Sequence, residues 1–232
     1  MKILIVSGGN IDQDFASGFL KDQYYDRILA VDKGAQFCHE QGLQPTMLIG
    51  DFDSLPPEIL DFYEEKGIRV RRFRPEKDAA DIEIALQEAK EMLRESDDRQ
   101  DRVFAEKKDR SSLVTILGGT GTRLDHMMGT LYSMAGLGPE VPCQLVDANN
   151  RVRMLWPGTY PVSRSDCFGP YLSLIPIGGP AEHITLRGFK YPLTDHSMTC
   201  DNSLGVSNEL VSETGVISFR RGLLACFETR DG

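Results

Sequence analysis

Two aspartates lie two positions apart directly after an apolar run, in the segment LIGDFDS at 48–54. Residues two apart on an extended backbone point the same way, so the carboxylates of Asp51 and Asp53 can face one site. Such oxygens suit Mg²⁺, which takes one or two protein carboxylates and completes its shell with water and substrate phosphates. A turn is the alternative, because Gly, Asp and Ser are frequent turn residues. The pair alone leaves both interpretations open.

Another acidic pair occurs in KDAAD at 77–81, directly before a helical pattern. Asp78 can cap that helix and Asp81 can lie in its first turn, since acidic side chains are favourable at a helix N-terminus. If the helix instead begins at the carboxyl edge of a sheet, both carboxylates can reach a metal held by Asp51 and Asp53. The sequence leaves capping and metal binding open.

A glycine-rich stretch, LGGTGTRLDH at 117–126, joins a buried strand pattern to a helical pattern. Its amides can cradle a phosphate at a helix N-terminus, and Arg123 can add a bidentate contact. Asp125 and His126 follow directly. The stretch lacks the Gly-Lys-Ser/Thr of a P-loop and the glycine spacing of a dinucleotide fingerprint. It therefore indicates phosphate binding by a loop of another type.

Two shorter turns follow the first two strand patterns, SGGN at 7–10 and DKG at 32–34. Backbone amides near Gly8 and Gly9 can approach phosphates, and Lys33 can supply positive charge. Tight turns that need positive φ are the structural alternative. Polar clusters with glycine or aspartate follow nearly every strand pattern, and folding alone would not require that.

The elements that position these residues are short β-branched runs in the first 150 residues. Runs without polar alternation are typical of strands buried on both faces of a parallel sheet. Between several of them, apolar residues recur at helical spacing, most clearly over 81–93 and again after 125. We predict an open, mostly parallel α/β sheet whose ligands bind beyond the carboxyl ends of its strands. The predicted strands are 3–6, 28–31, 47–49, 68–73, 114–117 and 144–146.

The pattern changes near Arg151. Glycines and prolines then occur at short intervals between alternating stretches such as 171–175 and 215–219. These features predict short antiparallel strands and a small all-β, sandwich-like domain. We place an α/β domain at 1–150 and a β domain at 151–232.

In the second domain, the segment SLGVSNE at 203–209 is polar, rich in small residues and flanked by strand patterns. Ser207 and Asn208 can hydrogen-bond a heteroaromatic ligand, or they can shape a hairpin turn. Spacing does not decide between these alternatives.

Composition limits the function classes. The 232 residues are 41% hydrophobic and 26% charged, as in a folded globular protein. A net charge of −9 repels nucleic acid and anionic lipid at long range, so neither is an expected partner. The mixed-charge segment 94–110 is interpreted as a solvated helix end and loop without a function.

Five cysteines without a close pair favour a reducing compartment over a disulfide framework. The apolar run at the N-terminus is too short for a signal peptide or a membrane span, so we expect a cytoplasmic protein. The four histidines lack metal-ligand spacing, which disfavours a zinc site. No Gly-x-Ser-x-Gly element or other nucleophile context favours a hydrolase.

Taken in order, the motifs resemble the thiamine pyrophosphokinase (thiamine diphosphokinase) family over nearly the whole chain. Those of the first half match the family's catalytic domain, and those of the second half match its thiamine-binding domain. Each motif is loose by itself, but their joint order and spacing are highly specific. They are SGGN at 7–10, DKG at 32–34, GDFDS at 50–54, KDxxD at 77–81, TGxRxDH at 120–126, LSLIP at 172–176, GFKYPL at 188–193 and SLGVSNE at 203–209.

The resemblance implies an enzyme that moves the β,γ-diphosphate of ATP to the hydroxyethyl oxygen of thiamine, releasing AMP and forming thiamine diphosphate. It also implies Mg²⁺ and a homodimer whose active sites are shared between the α/β domain of one subunit and the β domain of the other. The implied catalytic residues are Asp51, Asp53, Asp78, Asp81 and Asp125, of which the first four would bind the metal. The implied nucleotide-binding residues are Gly8, Gly9, Asn10, Asp32, Lys33, Gly34, Ser54, Lys77, Thr120, Arg123 and His126. The thiamine pocket would be lined by Ser207 and Asn208.

Two positions depart from the family's common pattern. Ala80 stands where Thr is common, and Thr122 stands where Gly is common, although Thr tolerates positive φ poorly. Neither change removes a charged group, so we expect activity to survive both. The alternative functions are another nucleotide-dependent phosphotransferase or hydrolase on the same scaffold, and a non-enzymatic thiamine-binding protein.

Overall fold

A computed structural model describes residues 1–74, 79–100 and 112–232, with the backbone alone for 97–100. The chain forms two compact units, Met1–Ala148 and Asn149–Gly232. None of the described helices is both long enough and apolar enough to cross a membrane.

The N-terminal unit is built on parallel strands in the order β4-β3-β2-β1-β5-β6. This arrangement confirms the predicted open parallel α/β sheet, and each predicted strand is present within one or two residues of its expected bounds. The strands are β1 Lys2–Val6, β2 Arg27–Val31, β3 Met47–Gly50, β4 Arg69–Arg72, β5 Leu113–Leu117 and β6 Cys143–Val146. The helices are α1 Gln13–Lys21, α2 Gly34–Glu40, α3 Pro57–Glu65, α4 Asp81–Gln100 and α5 Leu124–Gly136.

Strand β4 differs from the expectation that the strands are buried on both faces. It lies at the edge of the sheet, and its three arginines are exposed. Arg71 pairs with Glu88 of α4, and Arg72 pairs with Glu64 of α3 at 3.1 Å. An edge strand has a hydrogen-bonded neighbour on one side only, and charged side chains there discourage pairing with another chain.

The order of the strands creates a switch point beside β1. The chain runs outward from β1 through β2 and β3 to β4, and then returns to place β5 on the other side of β1. The loops that leave β1 and β5 therefore meet, and the amide of Ser7 donates to the carbonyl of Leu117 at 2.8 Å. Open α/β sheets bind ligands at such a point, beyond the carboxyl ends of the strands.

Helix α4 carries the predicted apolar stripe, whose five members are all buried: Ile82, Ala85, Leu86, Ala89 and Leu93. It begins at Asp81, which lies in the first turn as the sequence predicts. The mixed-charge segment 94–110 begins within this helix, which continues to Gln100, and its remainder lies outside the described residues.

The C-terminal unit consists of two antiparallel groups of strands, in the orders β7-β13-β9 and β11-β10-β12-β8. Leu174 and Cys226 from the first group share one core with Ile184 and Ile217 from the second. The predicted all-β, sandwich-like fold is confirmed. The strands are β7 Asn150–Leu155, β8 Gly158–Ser163, β9 Tyr171–Pro176, β10 Ala181–Arg187, β11 Leu193–Met198, β12 Thr214–Phe219 and β13 Leu224–Thr229.

All five cysteines are free thiols. Burial raises the pKa of Cys38 to about 12 and that of Cys226 to about 12, and it also raises the pKa of Cys143. These three side chains stay protonated near neutral pH, so they pack as small apolar groups and do not act as nucleophiles.

Candidate functional site

A cleft of about 850 Å³ opens in the N-terminal unit where β1, β2, β3 and β5 end. The loops after these strands line it together with the first turns of α4 and α5. The cleft thus brings together residues from five separate stretches of the chain. The predicted site residues that line it are Gly8, Gly9, Asn10, Asp32, Lys33, Asp51, Asp53, Ser54, Asp81, Thr120, Arg123, Asp125 and His126.

Three predicted site residues of the N-terminal unit remain: two are outside the described part of the chain, and one does not line the cleft. Lys77 and Asp78 are outside the described residues. Gly34 does not line the cleft: it opens α2, where a Cβ would lie only 2.0 Å from the carbonyl oxygen of Val6. Its role is close packing of α2 against the end of β1, and nucleotide contact is not needed to explain it.

Among the lining residues that the sequence analysis did not assign to the site, Gly129 and Thr130 lie on α5 beyond His126. Thr130 is buried, and its hydroxyl donates to the carbonyl of His126 at 3.0 Å. Residues three and four positions apart share one face of a helix. Because Gly129 and Thr130 follow His126 by three and four positions, helical spacing could have identified both residues.

Asp51 and Asp53 lie at the two ends of a tight turn, and both line the cleft. The amide of Asp53 donates to Oδ1 of Asp51 at 3.1 Å, and Phe52 between them has a φ of +61° and is buried. The extended backbone assumed from the sequence is therefore wrong, since β3 ends at Gly50. Both carboxylates nevertheless line the cleft, because the buried Phe52 ring holds the turn in place.

Asp32 connects the loops after β2 and β3. It has a φ of +46°, and its Oδ1 accepts a hydrogen bond from the amide of Phe52 at 3.5 Å. A non-glycine residue in the left-handed region costs conformational energy, and such strain is concentrated at functional sites. The bond ties the Asp51–Asp53 turn to the loop that carries Lys33.

The glycine-rich loop after β5 approaches the loop after β1 closely. The amide of Gly9 donates to the carbonyl of Gly118 at 3.1 Å, and a Cβ on Gly9 would lie 2.2 Å from that oxygen. Only glycine permits this approach. Thr122 is absent from the residues with positive φ in the described chain, so its turn accommodates a threonine without strain at that position.

Arg123 and Asp125 form a two-point ion pair at the start of α5. The Nε of Arg123 donates to Oδ1 of Asp125 at 3.2 Å, and an Nη2 donates to Oδ2. The hydrogen bonds from Arg123 lower the pKa of Asp125 to about 2. The carboxylate is therefore ionised near neutral pH, and it aligns a planar guanidinium that can also bind phosphate oxygens.

The carboxylates of the cleft fit a hard cation that arrives with an anionic ligand. Within the described ranges, no group of three or more His, Cys, Asp or Glu side chains is arranged to hold a metal ion by itself. Asp51, Asp53 and Asp81 still line the same cleft. Mg²⁺ is ordinarily bound through one or two carboxylates, waters and substrate phosphates, so a closed protein cage is not required.

In the C-terminal unit, Asn208 is buried and its amide group holds the backbone. Its Oδ1 accepts from the amides of Tyr191 at 3.0 Å and Glu209 at 2.9 Å, and its Nδ2 donates to the carbonyl of Tyr191 at 2.9 Å. Ser207 is exposed with a φ of +56°. Asn208 thus shapes the loop, while Ser207 presents its hydroxyl to solvent.

Two family models match this chain. One is described as "Thiamin pyrophosphokinase, catalytic domain" and covers residues 22–143. The other is described as "Thiamin pyrophosphokinase, vitamin B1 binding domain" and covers residues 159–224.

Curated relatives carry the same description. A thiamine pyrophosphokinase from Bacillus subtilis (strain 168) is 29% identical over 232 residues, which is 99% of this chain and 99% of the relative. Thiamine pyrophosphokinase 2 from Arabidopsis thaliana is 29% identical over 175 residues, which is 73% of this chain and 60% of the relative.

Solved structures agree over the full length. The crystal structure of the Bacillus subtilis thiamine pyrophosphokinase superposes with a TM-score of 0.82 at 28% identity, covering 100% of both chains. That of a thiamin pyrophosphokinase from Geobacillus thermodenitrificans gives a TM-score of 0.77 at 31% identity, covering 100% of this chain and 99% of the other.

Proposed function

The chain belongs to the thiamin pyrophosphokinase family, and we propose that it transfers the β,γ-diphosphate of ATP to thiamine, giving thiamine diphosphate and AMP. The observation that supports this reaction is the cleft of the N-terminal unit. It combines phosphate-accommodating glycine loops, aspartates and the cationic side chains of Lys33 and Arg123 at the ends of neighbouring strands.

In this reaction the protein mainly aligns the reactants and stabilises charge, and it does not need to form a covalent intermediate. The hydroxyethyl oxygen of thiamine loses its proton to solvent and attacks the β-phosphorus of ATP, and the bond from that phosphorus to the α,β-bridging oxygen breaks. AMP leaves with the bridging oxygen. Lys33 and Arg123 stabilise the negative charge on the phosphate oxygens, and other amides of the glycine-rich loops after β1 and β5 orient them.

We propose that Asp51, Asp53 and Asp81 hold Mg²⁺, with Asp78 as a further ligand. When bound, the ion offsets phosphate charge and polarises phosphorus–oxygen bonds. Asp125 aligns Arg123 through their ion pair, and Ser54, Asn10, Thr120 and His126 line the nucleotide site.

We further propose that the thiamine pocket includes Ser207 and the loop shaped by Asn208, and that the enzyme is a homodimer with shared sites. The matched vitamin B1 binding domain contains both residues. Apolar side chains on α5 support the proposed homodimer. Leu124, Met128 and Tyr132 recur every four residues and are 71%, 39% and 56% exposed, so a second subunit could cover them. An exposed apolar face of this kind is typical of an interaction surface.

A cytoplasmic location is proposed on the basis of the cysteines. All five are free, and three of them are buried. Free buried thiols are typical of proteins that reside in reducing compartments.

The test is product analysis with purified protein, thiamine, ATP and Mg²⁺. We expect AMP and thiamine diphosphate to form in equal amounts, and both to require thiamine. Formation of ADP in place of AMP would indicate another phosphotransferase on the same scaffold. Saturable thiamine binding without either product would indicate a binding protein.

A further inference from the structure

A second cavity, of about 500 Å³, lies in the C-terminal unit on its four-stranded sheet. Thr185 of β10 lines it, whereas the residues on either side, Ile184 and Leu186, belong to the buried core. Side chains alternate between the two faces of a strand. The cavity therefore lies on the outer face of this sheet, away from the core of the unit.

Three hydroxyl groups form a row across this face. Thr185 of β10 is paired directly with Ser218 of β12, and Ser218 is paired directly with Thr159 of β8. All three residues line the cavity. Because directly paired residues on neighbouring strands point to the same face, the row spans three strands in one register.

A histidine and an aspartate lie at the end of the row, where the pairing of β10 with β11 is irregular. The β10–β11 pairing changes register on both sides of Ile184, and His183 and Asp195 have φ values of +60° and +48°. His183 Nδ1 and Asp195 Oδ1 are 2.7 Å apart, and the amide of Asp195 donates to Oγ1 of Thr185 at 3.2 Å. Bulges re-aim side chains, and non-glycine residues in the left-handed region are concentrated at functional sites.

The cavity is lined by one guanidinium, from Arg220, and by the three hydroxyl groups of the row. In the part of the chain that the structure describes, the side chains of Thr159, Ser218 and Arg220 make no hydrogen bond or ion pair, and the Thr185 hydroxyl only accepts one. One oxygen of the Asp195 carboxylate contacts the His183 ring. The guanidinium and the three hydroxyl protons are therefore not engaged by protein acceptors, so they are available to a ligand rich in anionic oxygens.

We propose that this cavity binds a phosphate or diphosphate group of a small molecule. Arg220 supplies the charge, the row of Thr185, Ser218 and Thr159 supplies neutral donors, and the His183 ring lies at the end of the row, where it senses a bound ligand. Asp195 is a positioning residue, because its bond to Nδ1 fixes the orientation of the imidazole ring.

The experiment is histidine-resolved NMR of the full chain carrying isotope-labelled histidine. The signals of His183 are identified by their loss in His183→Gln. Inorganic phosphate and thiamine diphosphate are titrated separately at constant ionic strength. We expect the His183 ring signals to shift and to saturate as the ligand is added. If thiamine diphosphate saturates the site at lower concentration than phosphate, the reaction product is the ligand. If phosphate saturates it at the same or a lower concentration, the ligand is the free ion. His126, in the cleft of the N-terminal unit, reports separately on binding there.

Matched variants distinguish specific ligand recognition by Arg220 from the general effect of removing one positive charge. Arg220→Gln is expected to weaken binding at the His183 signal by about tenfold or more. Arg221→Gln removes the same charge at the next residue, whose guanidinium pairs with Glu182 at 3.2 Å, and should leave the affinity unchanged. Ser218→Ala should weaken binding without removing charge. A His183 signal that does not saturate with either ligand overturns the proposal, and so does equal weakening in the two arginine variants.

Discussion

The backbone amide of Asp53 donates to the side chain of Asp51 at 3.1 Å, across a turn whose middle residue, Phe52, is buried. The carboxylate of Asp51 thus accepts a hydrogen bond within the protein, although both aspartates line the cleft. The two aspartates therefore differ in what their loss would do. Asp51 supports the turn, whereas the side chain of Asp53 is exposed and is available for a ligand.

Replacement of Asp53 by Ala should lower kcat for thiamine diphosphate formation by about a hundredfold or more, because it removes a proposed metal ligand. The melting temperature should stay unchanged, since the side chain is exposed and contributes no core packing. Asp61→Ala is the matched control, because Asp61 is exposed on α3 and does not line the cleft. Near-normal turnover in Asp53→Ala would exclude this residue as a ligand.

Gly9→Ala should weaken ATP binding by about tenfold or more, because its Cβ would lie 2.2 Å from the carbonyl oxygen of Gly118 and the two loops would have to separate. Isothermal titration with a non-hydrolysable ATP analogue measures the effect. The control is Gly18→Ala within α1, where nothing lies within 4 Å of the added Cβ. That change should keep ATP affinity and stabilise the fold by up to about 1 kcal/mol. Equal ATP affinity in both variants would contradict the close-approach argument.

Asn208→Ala should destabilise the protein by about 1–3 kcal/mol, because it removes three hydrogen bonds from a buried side chain to partly buried backbone groups of Tyr191 and Glu209. Urea unfolding followed by circular dichroism measures the loss. Ser207→Ala removes an exposed hydroxyl and should change the unfolding free energy little while raising the KM for thiamine. The opposite division, with Ser207 affecting stability and Asn208 affecting only thiamine, would refute these roles.

The carboxyl group of Asp125 should titrate with a midpoint of about 2, because hydrogen bonds from Arg123 favour its charged form. A folded-state pKa below the ordinary value of 3.8 means that the pair stabilises the protein above that value. The contribution is then lost as the pH falls through about 2. Carbon-detected NMR follows the titration directly. In Arg123→Gln the midpoint should return toward 3.8, and an unchanged midpoint would show that Arg123 is not the cause.

Local patterns predicted the six strands of the N-terminal unit and its helices α4 and α5, but not the shorter helices α1, α2 and α3. The apolar runs of β1, β2, β3 and β5 and the stripe of α4 repeat with the period of the element that they form, so neighbouring residues carry the information. The same holds for the glycine and aspartate clusters after each strand, which identified most of the residues that line the cleft. Gly34 is the exception, since its requirement for glycine comes from Val6, a residue far away in sequence.

Composition and periodicity sufficed to predict the parallel α/β and antiparallel β architectures and a candidate site at the strand ends. The turn between Asp51 and Asp53, the hydrogen bonds of Asn208 within its own loop and the row of Thr185, Ser218 and Thr159 became visible only in the folded chain. Composition and period are local properties, whereas register and burial depend on which distant strands pair. The sequence around a strand hydroxyl does not show whether that hydroxyl faces solvent alone or belongs to a row across three strands.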